Sequence, residues 1–107
     1  MEINQYRIVL VNLDPTVGSE IKKTRPCVII SPNEMNKYLK TIVIVPLTTN
    51  LKKYPTRVSV EHNHKKGMMA IDQIRTVDKK RIIKTFDNLS KSEINNCKGI
   101  IKETFVD

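Results

Sequence analysis

Apolar positions follow two different periods along the chain. Between residues 6 and 77 they form short runs rich in β-branched residues, which is typical of strands. The runs at 26–30 and 41–47 are almost continuously apolar, so both faces of these strands should be covered. Residues 56–60 alternate instead, which indicates a strand with one buried face. The predicted strands are 6–13, 26–30, 41–47, 56–60 and 68–77.

The last of these runs, 68–77, combines apolar and polar side chains. As one continuous strand it would place a single set of side chains on a common face, namely Met69, Ile71, Gln73 and Arg75. We interpret Arg75 as a structural residue that pairs with Asp72 or Asp78.

The end of the chain changes to a helical period. Ser90 and Glu93 have the spacing of a capping box. The apolar residues that follow at helical intervals predict a helix from 91 to about 105. They are Ile94, Cys97, Ile100 or Ile101, and Phe105. A short helix is predicted within 31–40. About five or six strands and one terminal helix predict a mainly β (α+β) fold, a bent sheet or barrel with a helix packed on it, formed by residues 1–107 as a single domain.

Charge changes the picture, because the chain has 107 residues and a net charge of +8. Such a balance favours a polyanionic partner, meaning nucleic acid or an anionic membrane surface. The longest apolar runs are far shorter than the ~18 residues that a transmembrane helix needs, and no signal-peptide pattern precedes them. We therefore expect a cytoplasmic protein in which Cys27 and Cys97 are reduced, buried thiols.

The letters "EHNHK" at 61–65 suggest a nuclease metal site, but the pattern is a false one. Zinc needs three or four ligands, and neither cysteine lies near His62 and His64 in the sequence. We interpret this stretch as a basic turn and expect no metal and no cofactor. Nucleophile-elbow and glycine-rich phosphate motifs are also absent.

The remaining polar groups suit the cleavage of RNA without a metal. RNA supplies its own nucleophile, the 2′-hydroxyl, so an enzyme has to move protons and stabilise charge on phosphorus. A guanidinium matches phosphate geometry, and a threonine hydroxyl can donate to a phosphoryl oxygen. The groups available for this are Asp14 and Glu20 in the loop 14–24, Arg25 at a strand start, and Thr48, Thr49 and Asn50 after the second apolar strand.

Four separated motifs resemble the MazF/PemK family of toxins: "LDPTVGSEIKKTRPCVII", "VPLTTN", "YPTRVSV" and "IDQIRTVDKKRI". The resemblance implies a small SH3-like β-barrel with a C-terminal helix that forms a homodimer. It also implies the toxin half of a toxin–antitoxin pair, inhibited by a cognate MazE-type antitoxin. The implied activity is metal-independent endonucleolytic cleavage of single-stranded mRNA, which leaves a 2′,3′-cyclic phosphate and a 5′-hydroxyl.

The same resemblance implies that Arg25 and Thr48 are the catalytic residues. The predicted substrate-binding residues are Asp14, Gly18, Ser19, Glu20, Thr49, Asn50 and Gln73. Because arginine stays protonated at neutral pH, Arg25 is expected chiefly to stabilise charge. The sequence departs from some PemK-like members at Ala70, where they carry an arginine, and at Ser19, where they carry a histidine.

Two other classes of function remain open at this stage. A protein-binding toxin that poisons gyrase has the same small barrel, although such toxins resemble one another in a tryptophan-bearing C-terminal helix and this chain has no tryptophan. A non-catalytic binder of single-stranded RNA would favour clustered stacking aromatics, whereas aromatic residues make up only 5% of this chain. In either class Arg25 could be no more than a charge at the end of a strand.

Overall fold

The computed structural model describes residues 2–13 and 23–106. From the N-terminus onward, its strands and helices are β1 (Arg7–Asn12), β2 (Thr24–Ile29), α1 (Asn33–Tyr38), β3 (Thr41–Thr48), β4 (Arg57–His62), β5 (Lys65–Ala70), β6 (Arg75–Asp78), β7 (Ile82–Asn88) and α2 (Lys91–Ile101). Short 3₁₀ turns at Ile71–Gln73 and Lys79–Arg81 flank β6, and a π-helical turn at Lys102–Val106 follows α2.

The strands form one antiparallel sheet that bends sharply along β3. Its order is β4-β5-β3-β2-β1-β7, and β6 pairs with β3. The first half of β3 contacts β6, with Ile42 opposite Val77, and its end contacts β5, with Leu47 opposite Met69. Because one strand serves two neighbours on the same side, the sheet curls into a half-closed barrel. The predicted mainly β fold, a small SH3-like barrel with a C-terminal helix, is confirmed.

Both faces of the two apolar strands are buried, as the sequence predicts. Val28 and Val45 belong to a cluster that α2 covers through Cys97. Cys27 and Ile29 belong to a second cluster, which includes Val77 of β6 and Ile82 of β7. The chain therefore covers both faces of these strands by itself, without a second copy.

The predicted strand at 68–77 is wrong as a single element. The Ile71 N–H donates to the carbonyl of Thr56 (3.0 Å), and the Ile74 N–H donates to the carbonyl of Ile71 (3.2 Å). This 3₁₀ turn separates β5 from β6, so Met69 and Ile71 enter the core while Gln73 and Arg75 point into a surface groove described below. Strand β7 was missed, because only one of its seven side chains, that of Ile82, is buried.

Helix α2 begins with the predicted capping box. The Glu93 N–H donates to the Ser90 hydroxyl (3.2 Å), and the Ser90 N–H donates to one oxygen of the Glu93 carboxylate (2.8 Å). The other carboxylate oxygen accepts from the N–H of Glu61 on β4 (2.9 Å). Glu93 thus joins the start of the helix to the edge of the sheet. No helix in 2–13 or 23–106 is long and apolar enough to cross a bilayer.

Candidate active site

Arg25 lies near the start of β2, where the ladder between β2 and β3 ends. Its backbone pairs with Val11 of β1, and the pairing of β2 with β3 begins at Cys27, opposite Pro46. Neither Pro26 nor Pro46 has an N–H to donate, which accounts for the early end of this ladder. Arg25 lies two residues before the Cys27–Pro46 pair on β2, and Thr48 lies two residues after it on β3.

Arg25 lines an open groove with a volume of about 440 Å³. The residues around it are Leu13, Lys23, Thr24, Arg25, Pro46, Gln73 and Arg75. Three of these side chains are cationic, and no carboxylate lines the groove among the residues that the structure describes. The charge and the open shape of this surface suit a flexible polyanion.

Arg75 reaches the same groove from β6, so the interpretation that it pairs with Asp72 or Asp78 is wrong. Asp72 pairs with Arg57 instead (3.0 Å), and Asp78 accepts from the N–H of Lys80 (2.8 Å). Within 2–13 and 23–106, Arg75 has no ion-pair partner. The sequence did carry a signal for this residue, since Arg75 is only two positions from Gln73 and follows the same turn.

Cys27 lies beneath the two arginines of the groove. Burial raises the pKa of its thiol to about 12, although the charges of Arg25 and Arg75 act in the opposite direction. The Cys27 thiol donates to the carbonyl of Arg25 (3.4 Å). The strand registers place both arginines on one face of the sheet. Arg25 shares a face of β2 with Ile29, and Ile44 lies opposite both Ile29 and Arg75. Burial makes the thiol itself a poor nucleophile.

Thr48 and its neighbours form a tight turn at the end of β3. The Thr48 hydroxyl oxygen accepts from the Asn50 N–H (3.2 Å), and the Asn50 side-chain oxygen accepts from the Lys52 N–H (3.0 Å). A hydroxyl that accepts a bond in this way can still donate its own proton to another oxygen. Thr48 and Thr49 line a second cavity, next to Pro26. Asn50 holds the turn and lines neither cavity.

Four predicted substrate-binding residues, Asp14, Gly18, Ser19 and Glu20, lie outside the described residues. The described chain on either side of them meets at the groove, because the Leu13 N–H donates to the carbonyl of Lys23 (2.7 Å). Both of these flanking residues line the groove. Of the predicted site residues, the structure therefore brings Arg25 and Gln73 together in one groove and places Thr48 and Thr49 beside it.

Asp72 is engaged away from the groove. Burial alone would raise the pKa of its carboxyl, but hydrogen bonds from Thr56 and Arg57 outweigh burial and hold that pKa below its usual value. The carboxylate is thus kept ionised, and its oxygens accept bonds from Thr56 and Arg57. At the position before this turn stands Ala70, which is fully buried and has no group that could move a proton.

The histidines lie on the hairpin between β4 and β5. Asn63 and His64 form its two-residue turn with φ angles of 52° and 61°, which corresponds to the predicted basic turn. His62 contacts the ring of Phe86 at 4.7 Å between ring centroids. In the part of the chain that the structure describes, no three residues among His, Cys, Asp and Glu are grouped so that they could hold a metal ion.

Comparison with known proteins gives one consistent result. The family model for the PemK-like, MazF-like toxin of type II toxin–antitoxin systems matches residues 4–105. A curated relative, Endoribonuclease MazF of Staphylococcus epidermidis, is 37% identical, and the alignment covers 92% of this chain and 89% of that protein.

Solved structures show the same fold. One is an endoribonuclease in complex with its cognate antitoxin from mycobacterial species, with a TM-score of 0.84 and 19% identity over 98% of this chain and 96% of that one. Another is MazF from Deinococcus radiodurans, with a TM-score of 0.81 and 20% identity over 98% of this chain and 97% of that one. From the family model and the curated relative together, the chain belongs to the PemK-like, MazF-like toxins of type II toxin–antitoxin systems.

Proposed function

We propose that this toxin is an endoribonuclease that cleaves single-stranded mRNA with the scissile phosphate held at Arg25. The curated relative's name supports the activity. The observation that carries the assignment is the groove in which Arg25, Arg75 and Lys23 converge, with no carboxylate among its described lining residues. Such a surface attracts a phosphate backbone and holds it at a fixed guanidinium.

The proposed reaction is attack by the 2′-hydroxyl oxygen on the adjacent phosphorus. The bond from the 2′-oxygen to phosphorus forms and the bond to the 5′-oxygen breaks, which leaves a 2′,3′-cyclic phosphate and a 5′-hydroxyl. One proton leaves the 2′-hydroxyl and one reaches the 5′-oxygen, through Glu20 or water. Arg25 stabilises the charge that develops on the non-bridging oxygens, and Thr48 donates a hydrogen bond to one of them. RNA provides the nucleophile, so the step needs no metal.

The other groove residues position the RNA in this scheme. Arg75 and Lys23 neutralise phosphates on either side of the cleaved bond, and the Gln73 amide hydrogen-bonds to a neighbouring base or sugar. Gly18, Ser19 and Glu20, which the resemblance places in a loop over the site, and the polar residues Asp14 and Thr49 complete the proposed substrate-binding set. Asn50 acts in this set through the turn that orients Thr48.

Mapping of 5′-hydroxyl ends tests the proposed activity. Purified toxin is incubated with a mixed RNA pool in EDTA, and the new 5′-hydroxyl ends are sequenced. We expect cleavage at a short preferred sequence, and we expect it to stop when the cleaved nucleotide carries a 2′-O-methyl group. Cutting of the methylated RNA, or loss of cutting in EDTA, would refute the mechanism. Binding of RNA without any cleavage would instead support a non-catalytic RNA binder. If neither the unmodified nor the methylated RNA binds, the result would support a toxin that acts on a protein.

We also propose that a cognate MazE-type antitoxin inhibits by laying an acidic segment in the Arg25 groove. A surface that binds phosphates also binds Asp and Glu side chains, and a disordered acidic segment can wrap along it. A synthetic acidic antitoxin segment should therefore compete with RNA, and this competition should weaken as the Debye length falls to ~3 Å at 1 M salt. A ternary complex with unchanged RNA affinity would point to inhibition from another surface.

Residues 1–107 are further proposed to act as a single domain that forms a homodimer in the cytoplasm. The family match over 4–105 supports the single domain. Support for the homodimer comes from the family resemblance and from helix α1, which exposes Met35 and Tyr38, with Leu39 exposed directly after it. Two buried, free thiols suit a reducing compartment.

A further inference from the structure

A second cavity adjoins the Arg25 groove at the ends of β2 and β3. Alternate residues of these strand ends serve the two surfaces: Arg25 and Pro46 line the groove, and Pro26 and Leu47 line the cavity. Its volume is about 280 Å³. This is slightly below the range of roughly 300–1,000 Å³ that is usual for drug-sized ligands, so it suits a group the size of a single ring system.

The walls of this cavity are apolar and aromatic. Pro26, Leu47 and Val60 line it, together with Phe86 of β7. The ring of His62 meets that of Phe86 edge to face, with an angle of 65° between their planes. The carbonyl of Phe86 accepts a bond from the Arg7 side chain (2.8 Å), which fixes this part of β7 against β1.

The rim of the cavity is cationic. Lys65 and Lys66 lie on it, and no carboxylate lines the cavity among the described residues. Gly67 keeps this rim close to Thr48, because a Cβ atom at Gly67 would lie only 3.1 Å from the Thr48 carbonyl oxygen. The lysines are therefore held next to the proposed catalytic threonine, and Thr48 itself lines the cavity.

We propose that this cavity binds one nucleobase of the RNA substrate, close to the cleaved bond, and thereby contributes to the choice of cleavage sequence. A base supplies the planar ring that stacks on an aromatic wall, and the phosphates attached to it meet the lysines of the rim. The inference rests on the proposed endoribonuclease function, because it places the base and the scissile phosphate next to each other at the same two strand ends. It adds a base-selecting site whose key residues are Phe86 and His62.

Fluorescence of 2-aminopurine tests this site without requiring cleavage. The probe base is placed at each position in turn of a 2′-O-methyl RNA that carries the preferred sequence. In the wild-type protein we expect quenching by stacking at one position. Phe86→Leu should remove that quenching and weaken binding of this RNA by roughly 5- to 150-fold, the equivalent of losing one stacked base. Phe86→Tyr should retain both.

Phe105→Leu is the matched control, because it makes the same substitution at an exposed phenylalanine outside the cavity. Thermal unfolding checks that Phe86→Leu remains folded; if it does not, His62→Leu removes the other ring instead. Sequencing of cleavage products should show that these variants relax the sequence preference at one position. Cleavage kinetics should show a raised KM with kcat nearly unchanged.

Unchanged quenching and an unchanged cleavage sequence in both ring variants would refute the base site, even if replacement of Arg25 by alanine slowed cleavage strongly. A fall in affinity for the acidic antitoxin segment alone would refute it as well and would assign the cavity to the inhibitor. If the wild-type toxin binds the probe RNA but cleaves no RNA, the proposed function is wrong. The quenching result then still shows whether the cavity binds a base.

Discussion

Replacement of Arg25 by alanine should lower kcat for RNA cleavage without unfolding the protein. Arg25 is exposed near the start of β2 and contributes no apolar surface to either core cluster. Surface changes of this kind usually alter the free energy of unfolding by less than about 0.5 kcal/mol. The effect of the substitution should therefore fall on the reaction rather than on the fold.

The expected loss of rate follows from the position of the guanidinium. Arg25 has no ion-pair partner among the described residues, so its charge is available to the phosphate. Removal of one preorganised donor from an oxyanion site typically costs roughly 10²–10³-fold in kcat, or about 2.7–4 kcal/mol. Arg25→Lys should recover little of this, because an ammonium group lacks the planar fork that bonds two phosphate oxygens at once.

Single-turnover cleavage of a fluorescent RNA that contains the preferred sequence measures this loss. Lys91→Ala is the matched control, because it removes one positive charge from an exposed position at the start of α2, away from the groove. Arg75→Gln should raise KM and reduce the salt dependence of binding by about one phosphate contact, with kcat nearly unchanged. Arg25→Ala thus tests charge stabilisation in the transition state, Arg75→Gln tests phosphate binding, and Lys91→Ala tests the general electrostatic attraction between toxin and RNA.

A rate for Arg25→Ala within a few-fold of the wild-type rate would refute the assignment of this residue. So would an equal loss in Lys91→Ala, because a remote charge would then matter as much as the one in the groove. A loss of rate that merely parallels a loss of thermal stability would show that Arg25 supports the fold.

Three further outcomes follow from the structure. Glu93→Ala should lower the free energy of unfolding in urea by about 1–2 kcal/mol, because the Glu93 carboxylate accepts bonds from the N–H groups of Ser90 and Glu61. An unchanged urea midpoint in the variant would show that these bonds do not stabilise the fold. Burial raises the pKa of Cys27 to about 12 and that of Cys97 to about 11, whereas an unfolded thiol ionises near 9. The free energy of unfolding should therefore fall as the pH rises from 9, up to about 11 for Cys97 and about 12 for Cys27, by at most about 1.4 kcal/mol per pH unit for each thiol. Cys27→Ala should make this fall less steep. Sedimentation equilibrium should give the mass of a dimer at micromolar concentration, and a monomer mass would reject the homodimer.

Features that depend on neighbours in the chain were predictable from the sequence. The period of apolar residues identified β1 to β4, and the spacing of Ser90 and Glu93 identified the start of α2. The four motifs indicated the family. The periods and the capping spacing each lie within one element, and the motifs are identified by residue type and order alone, so no knowledge of packing was needed to find them.

Tertiary structure alone decided where distant segments meet. The turn at Ile71–Gln73 is held by a bond from Ile71 to Thr56, and β7 becomes a strand through its pairing with β1, far away in the chain. The convergence of Arg25 and Arg75 depends on the registers of three strands, and the wall formed by His62 and Phe86 depends on a contact between β4 and β7. Periodicity cannot reveal such contacts, because a residue's spacing from its neighbours in the chain carries no information about the register with which remote strands pair.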